Sequence, residues 1–220
     1  MSHNTDFDPQ CSRCPRLAAH LEEVRREFPA YHGRPVAPFG AEDPRLLIVG
    51  LAPGLHGANA TGRPFTGDFA GILLYKTLFE YGLSNRGSAV SRDDDLCLRH
   101  CRITNAVKCL PPQNKPNGAE IAQCNTFLAA EIAALRPGAT ILALGTIAHN
   151  AVLRALQLKL KDHPFGHGHE HALPQGCLLI DSYHCSRYNT QTRRLTEAMF
   201  RAVFDSICAR LRQTDEGPQR

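Results

Sequence analysis

Two cysteine pairs and three loops carry most of the side chains able to do chemistry in this chain. Cys11 and Cys14 form a C-x-x-C, a spacing open to zinc, to a redox pair or to an iron–sulfur cluster. Cys109 closes an apolar run just before PPQNKPNG, and Cys124 falls in the helical stretch that follows. Four thiolates drawn from these two regions suit a [4Fe–4S] cluster, which clips one loop to another. A rival quartet joins Cys11 and Cys14 to Cys97 and Cys101 of CLRHC and suits zinc; spacing alone leaves the two level. Cys124 also sits between Ile121 and Leu128 at helical spacing, as a small core residue would. The chain has nine cysteines, an odd number that argues against a complete set of internal disulfides.

The first loop, Gly50–Gly71, reads GLAPGLHGANATGRPFTGDFAG. Its glycines let backbone approach a ligand closely, and GRPF presents an aromatic ring. It lacks the GK[ST] of a phosphate loop and the spacing of a dinucleotide fingerprint. His56 within it could line a pocket or cap the loop. The second, TNAVKC, places Asn105 at the end of an apolar run. An amide offers a donor and an acceptor side by side, enough to read one edge of a base. Asn is also a common turn former, and the residues alone favour that role. The third, YHCSRYNTQTRRLT, puts His184 beyond a strand and Ser186, Arg187 and Asn189 at a helix start, placed to hold a phosphate. A further segment, DHPFGHGHEH, carries His163, His167, His169 and His171. Its composition matches a metal tract, but Gly/His loops of this kind are usually solvated turns, which is the reading we favour.

The elements that must position these groups follow from periodicity. Leu17, Leu21, Val24 and Phe28 recur at helical spacing directly after the first cysteine pair. RLLIVG, CRITNAVKC, ATILALG and CLLIDSY read as four buried strands. Between them, helices are expected over 71–81, from a capping box at Asn117 and Glu120 to Leu135, and over 146–156. After HCSRYN one long final helix is expected, with Leu195, Met199 and Ile207 on one face. Continuous apolar strands alternating with helices imply a three-layer α/β/α fold around a central, mainly parallel four-stranded sheet. The loaded loops follow the carboxyl ends of strands, where open α/β sheets bind ligands.

The 220 residues, 43% of them hydrophobic, are read as one domain over 1–220. It carries the C-x-x-C segment at one end and a loose tail from about residue 212. Lys+Arg 25 against Asp+Glu 21 gives a net charge of +4, compatible with a nucleic-acid partner without requiring one. The start MSHNTDFDPQ has no basic and apolar leader, and no apolar run is long enough to span a bilayer. A cytoplasmic monomer with no membrane association is the expectation.

CSRCPRL, the Gly50–Gly71 loop, TNAVKCLPPQNKPN with a cysteine in the next helix, and YHCSRYNTQTRRLT occur in that order. Together they resemble family 5 (type b) uracil-DNA glycosylases, and the GRPF-x-G core is also similar to family 4. The likeness runs from Cys11 to about Leu211. It implies a structural [4Fe–4S] cluster on Cys11, Cys14, Cys109 and Cys124. It also implies a pocket for flipped uracil formed by Ala52, Gly54, Phe65 and Asn105, with His184 facing the base. Family 4 carries a glutamate where this chain has Leu51, which cannot activate water; the family 5 pattern offers Asp68 instead. Cys185 stands where proline is usual, which bears on the rigidity of that loop.

By that resemblance the substrate is uracil, or another deaminated base, in single- or double-stranded DNA, and the product is an abasic site. Asp68 and His184 would carry the chemistry, and Ser186, Arg187 and Asn189 would hold the DNA. One rival from another class is a non-catalytic iron–sulfur DNA-binding or damage-sensing protein on the same fold, to which Leu51 gives some weight. Another is a zinc-stabilised nucleotide-binding module, against which the missing phosphate loop counts.

Overall fold

A computed structural model of the chain describes residues 7–215. Its centre is a six-stranded sheet in the order β1-β3-β2-β4-β6-β5. The four inner strands are those read from the apolar runs: β2 (Leu46–Gly50), β3 (Cys101–Asn105), β4 (Thr140–Leu144) and β6 (Leu178–Ser182). They are mutually parallel. Two short antiparallel edges, β1 (Phe39–Gly40) and β5 (Glu170–Ala172), extend the expected four strands to six.

Alternate residues of the parallel strands feed opposite faces, because strand side chains alternate. Leu46, Ile48, Ile103, Leu142 and Ile180 pack against Leu74 and Leu78 of α3 (Phe69–Glu80) and Phe200, Val203 and Phe204 of α7 (Glu197–Asp215). Leu47, Val49, Ile141, Ala143 and Leu179 pack against Leu128 and Ile132 of α4 (Gly118–Ala133) and Ala148 and Val152 of α5 (Thr146–Ala155). Both faces are therefore covered, which is why these strands read as unbroken apolar runs. Burying a leucine such as Leu47 in this way contributes about 1.5–3 kcal/mol.

A third cluster forms beside the sheet. Leu17, Leu21 and Val24 of α1 (Pro15–Glu27) meet Val107, Leu110, Ile121 and Phe127. Arg16 fastens this helix by two 2.7 Å bonds to Glu120, whose carboxylate also closes the capping box with Asn117. No described helix is long and apolar enough to cross a membrane.

Three expectations need correction. The second strand stops at Asn105, level with Gly50 on β2; Ala106 and Val107 still bond Gly50 and Leu51, then the chain bends to deliver Cys109. The final helix is two: α6 (Arg187–Gln191) ends, Arg193 turns through φ +56°, and buried Leu195 fills the link before α7. The tail expected to be loose from about residue 212 continues α7 to Asp215, and residues 216–220 lie outside the described part.

Candidate active site

The paired ends of β2 and β3 form the floor of a crevice. Gly50 and Asn105 are register partners in the parallel ladder. A Cβ on Gly50 would stand 2.5 Å from Asn105 Oδ1 and 2.7 Å from the Phe65 ring, so only glycine lets these groups converge. Asn105 is 3% exposed, and its Oδ1 is buried with no hydrogen-bond partner among the described residues. An amide oxygen in that state costs free energy unless a donor comes to it. It is not a turn former bonded to its own backbone.

Phe65 forms one wall in a left-handed conformation, φ +57°. Such a backbone is uncommon for a non-glycine residue and is held only when its surroundings over-determine it. Here Tyr75 donates its hydroxyl to Pro64 O at 2.7 Å, and Arg63 Nε donates to Thr66 Oγ1 at 2.7 Å. The Arg63 guanidinium, over the Phe39 ring, also makes two 2.7 Å bonds to Asp94, whose carboxyl it holds far below the usual range. Gly71 is required behind it, since a Cβ there would fall 1.8 Å from Phe65 O.

Asp68 occupies the N-cap position of α3, which begins two residues before the expected start, but its side chain makes no capping bond. It turns instead into the crevice and accepts from Ala58 N at 3.1 Å. Gly54 and Gly57 make room for it: a Cβ would come within 2.7 and 1.9 Å of its carboxyl. Burial raises its pKa above the ordinary 3.8, opposed only by the Ala58 amide.

His184 lies opposite, its ring centroid 6.0 Å from that of Phe65 at 30°. Burial lowers its pKa from 6.5 to about 4, so the imidazole is neutral at pH 7. Neither ring nitrogen is hydrogen-bonded among the described residues. Cys185, in the place of the usual proline, is fully buried in the core and pins the chain immediately behind it.

Leu51, Ala52, Gly54, Phe65, Asp68, Asn105, His184, Ser186 and Arg187 thus line one crevice of about 420 Å³, within the range of small-ligand sites. Four lining residues were not singled out from the sequence, Ala58, Phe69, Ala70 and Asn114. Phe69 carries the Arg187 guanidinium 4.9 Å over its ring. Asn114 follows Gln113 through two left-handed residues, φ +55° and +56°; its type, tolerant of that conformation in a Pro-rich loop, was the available signal. Asn189, read as a phosphate contact, turns inward and donates to His184 O at 2.8 Å. Ser186 Oγ caps α6. His56 is outside the crevice, bonded to Tyr31 at 2.9 Å.

The cysteines sort into the first quartet. Cys11, Cys14, Cys109 and Cys124 border one cavity between α1 and α4, with Leu17 and Phe127. Burial, then mutual repulsion, raises the Cys14 and Cys109 thiols, Cys109 to about 12. Cys124 is raised by burial and accepts from Lys108 N at 3.3 Å. The Cys14, Cys109 and Cys124 thiols stay protonated unless a metal centre supplies positive charge. Four cysteines around one cavity could hold a [4Fe–4S] cluster or a zinc ion. Cys101 instead donates to Leu83 O in the core, and Cys97 is exposed.

The family model of the uracil DNA glycosylase superfamily matches residues 37–208 of the chain. A type-5 uracil-DNA glycosylase of Thermus thermophilus is 46% identical over 198 residues, covering 88% of this chain and 90% of its own. One from Pyrobaculum aerophilum is 44% identical over 207 residues, 90% of each chain. A type-4 uracil-DNA glycosylase of Saccharolobus solfataricus is more distant, 28% identical over 177 residues, 78% of this chain and 75% of its own.

Proposed function

The chain belongs to the uracil DNA glycosylase superfamily, and from that membership we propose that it hydrolyses the N-glycosidic bond of uracil in DNA to leave an abasic site. The observation that carries this reading is the buried, unpartnered Asn105 Oδ1 at the crevice floor. Uracil N3–H supplies the missing donor, and the same amide donates to uracil O4. Cytosine presents the reverse pattern and is refused.

The target base leaves the stack to reach this depth. Phe65 stacks on it, a contact worth about 1–3 kcal/mol. As the C1′–N1 bond breaks, its electron pair moves onto the base, towards O2, and positive charge develops on the sugar. Neutral His184 donates a hydrogen bond towards O2, and the Ala52 backbone adds a second donor, as in an oxyanion hole. Asp68, raised towards the range of a general base, faces the sugar cation and orients the water that adds to C1′. Leu51 takes no part. Arg187 and the Ser186 hydroxyl meet the phosphate backbone.

We further propose that Cys11, Cys14, Cys109 and Cys124 hold a [4Fe–4S] cluster, which when bound supplies a structural cross-link rather than a reaction step. The protein acts as a cytoplasmic monomer on single- and double-stranded DNA, and other deaminated bases that satisfy the Asn105 amide fall within its range.

The test is single-turnover cleavage of uracil-containing single- and double-stranded oligonucleotides, with alkali to open abasic sites. Strand breaks at uracil support the reading. Tight binding without breaks would replace it with the non-catalytic DNA-binding alternative.

A further inference from the structure

The histidine-rich segment 163–171 is a partly exposed turn, as expected, but it is anchored at both ends. Asp181 of β6 is fully buried and stands at its centre. Its carboxylate meets His149 Nδ1 at 2.7 Å and His171 Nε2 at 3.2 Å, and accepts Gly166 N–H at 3.3 Å. Its main chain is held as well: Gly168 N donates to Asp181 O at 2.8 Å, and Asp181 N donates to His169 O at 3.0 Å. His149, itself buried on α5, reaches His163 O with its other nitrogen at 2.9 Å. One carboxylate therefore fastens both the beginning and the end of the loop.

His149, His171 and Asp181 place three ligand atoms within 4.8 Å, as a metal site would. The spacing argues for a proton instead. A carbonyl can only accept, so His149 Nε2 carries hydrogen. The 2.7 Å gap from Nδ1 to the carboxylate is that of a charge-assisted hydrogen bond. An ion at about 2.0–2.1 Å from each ligand would hold them about 3.3 Å apart.

What the loop grips is the residue before His184. His167 accepts Tyr183 N–H at 3.1 Å and stacks on its ring, 5.0 Å between centroids at 19°. Arg194 lies 4.8 Å over the same ring. On the other side Asn189 holds His184 O. With neither ring nitrogen hydrogen-bonded among the described residues, the direction of the His184 ring rests on Phe65 and on the backbone at residues 183 and 184. That backbone is set in turn by what holds His167.

We propose that Asp181, through His149, His171 and the loop they anchor, is a positioning residue for His184. The proposal rests on the catalytic reading above. Asp181→Asn keeps the size of the side chain but removes the carboxylate charge and puts an N–H donor opposite one histidine, so the charge-assisted bonds that hold the loop are lost. The loop loosens, His167 releases Tyr183, and His184 swings out of line with the leaving group.

The experiment is a double-mutant cycle with His184→Ala, read by single-turnover excision from a uracil-containing duplex, with melting curves and affinity for an abasic-site duplex alongside. Asp181→Asn should slow excision about tenfold with abasic-site affinity unchanged, and should slow the His184→Ala enzyme less than about twofold, because the group it positions is gone. A folded Asp181→Asn protein with wild-type excision overturns the proposal, as does an equal loss in both backgrounds. Should Asp181→Asn not fold, His167→Ala leaves the buried carboxylate network in place and must show the same coupling; additive losses there also overturn it. Stoichiometric zinc that raises the melting temperature of wild type, but not of His171→Gln, would make the cluster a metal site and end the proposal. An inactive wild type sinks the catalytic reading itself, before the cycle begins.

Discussion

The carboxylate of Asp68 accepts the amide hydrogen of Ala58, 3.1 Å away and ten residues earlier in the chain, although Asp68 stands at the N-cap of its own helix. The cap position accounts for the direction of the backbone; the side chain serves the crevice. Asp68→Asn keeps an acceptor for Ala58 and removes the charge. Single-turnover excision should therefore fall about 10²-fold, the lower range for a positioned acid–base group, with little change in the melting curve. Near-normal cleavage would end the assignment.

Gly57 tests the same carboxylate without removing it. A methyl group there would overlap the Asp68 carboxyl at 1.9 Å, so the carboxylate must move out of place. Gly57→Ala should lose activity nearly as far as Asp68→Asn while still binding an abasic-site duplex. Wild-type rates in Gly57→Ala would mean that the position of Asp68 does not matter.

Acidity should act through Asp68 before His184. Burial raises Asp68 above 3.8 and lowers His184 from 6.5 to about 4. As pH falls, Asp68 takes up its proton earlier than an ordinary aspartate, and excision declines with it. His184 stays neutral until about pH 4. Stability follows the opposite signs. The contribution of His184 is complete above 6.5 and is lost as pH falls towards about 4, because only the unfolded chain binds that proton. The contribution of Asp68 is complete below 3.8 and is lost as pH rises through its raised value. A rate–pH profile should show one acid limb in the wild type and none above about pH 4 in the residual activity of Asp68→Asn. An unchanged limb would place the titration elsewhere.

Asn105→Asp removes the donor to uracil O4 and leaves acceptors only. Uracil excision should fall at least about tenfold, since a bidentate base contact is worth about 1–3 kcal/mol. The ratio of cytosine to uracil excision should rise. Paired oligonucleotides differing only in that base measure both.

Iron content separates the cysteines. Protein purified without air should be brown, with about four irons per chain as that cluster type requires. Cys109→Ser should lose iron, colour and solubility, whereas Cys97→Ser, altering an exposed thiol, should lose none. Stoichiometric zinc with no iron in the anaerobic protein would remove the cluster proposal.

The parallel strands were legible because they are buried on both faces, which leaves an unbroken apolar run in the sequence. The capping box of Asn117 and Glu120 was legible for a local reason, three residues apart on one turn. The edges were not: Phe39–Gly40 is two residues long, and Glu-His-Ala of β5 is mostly exposed, so neither has a pattern to read. Leu195 matched the period of the final helix by coincidence, and nothing local announces that Arg193 breaks it. Within the site, the motifs located Asp68, Asn105 and His184. They could not show that Asn189 faces inward, nor that His149 finds Asp181 across thirty-two positions. Such pairings exist only once the sheet has assembled.

The strand that delivers His184 is the last laid down, and it enters the sheet between β4 and β5, both already synthesised. A ribosome-bound chain that has released Asp68 and Asn105 still has a gap where β6 belongs, and nothing to face the leaving base. A copy that ends before β6 therefore lacks both an inner strand of the sheet and His184, and its crevice has no wall on that side.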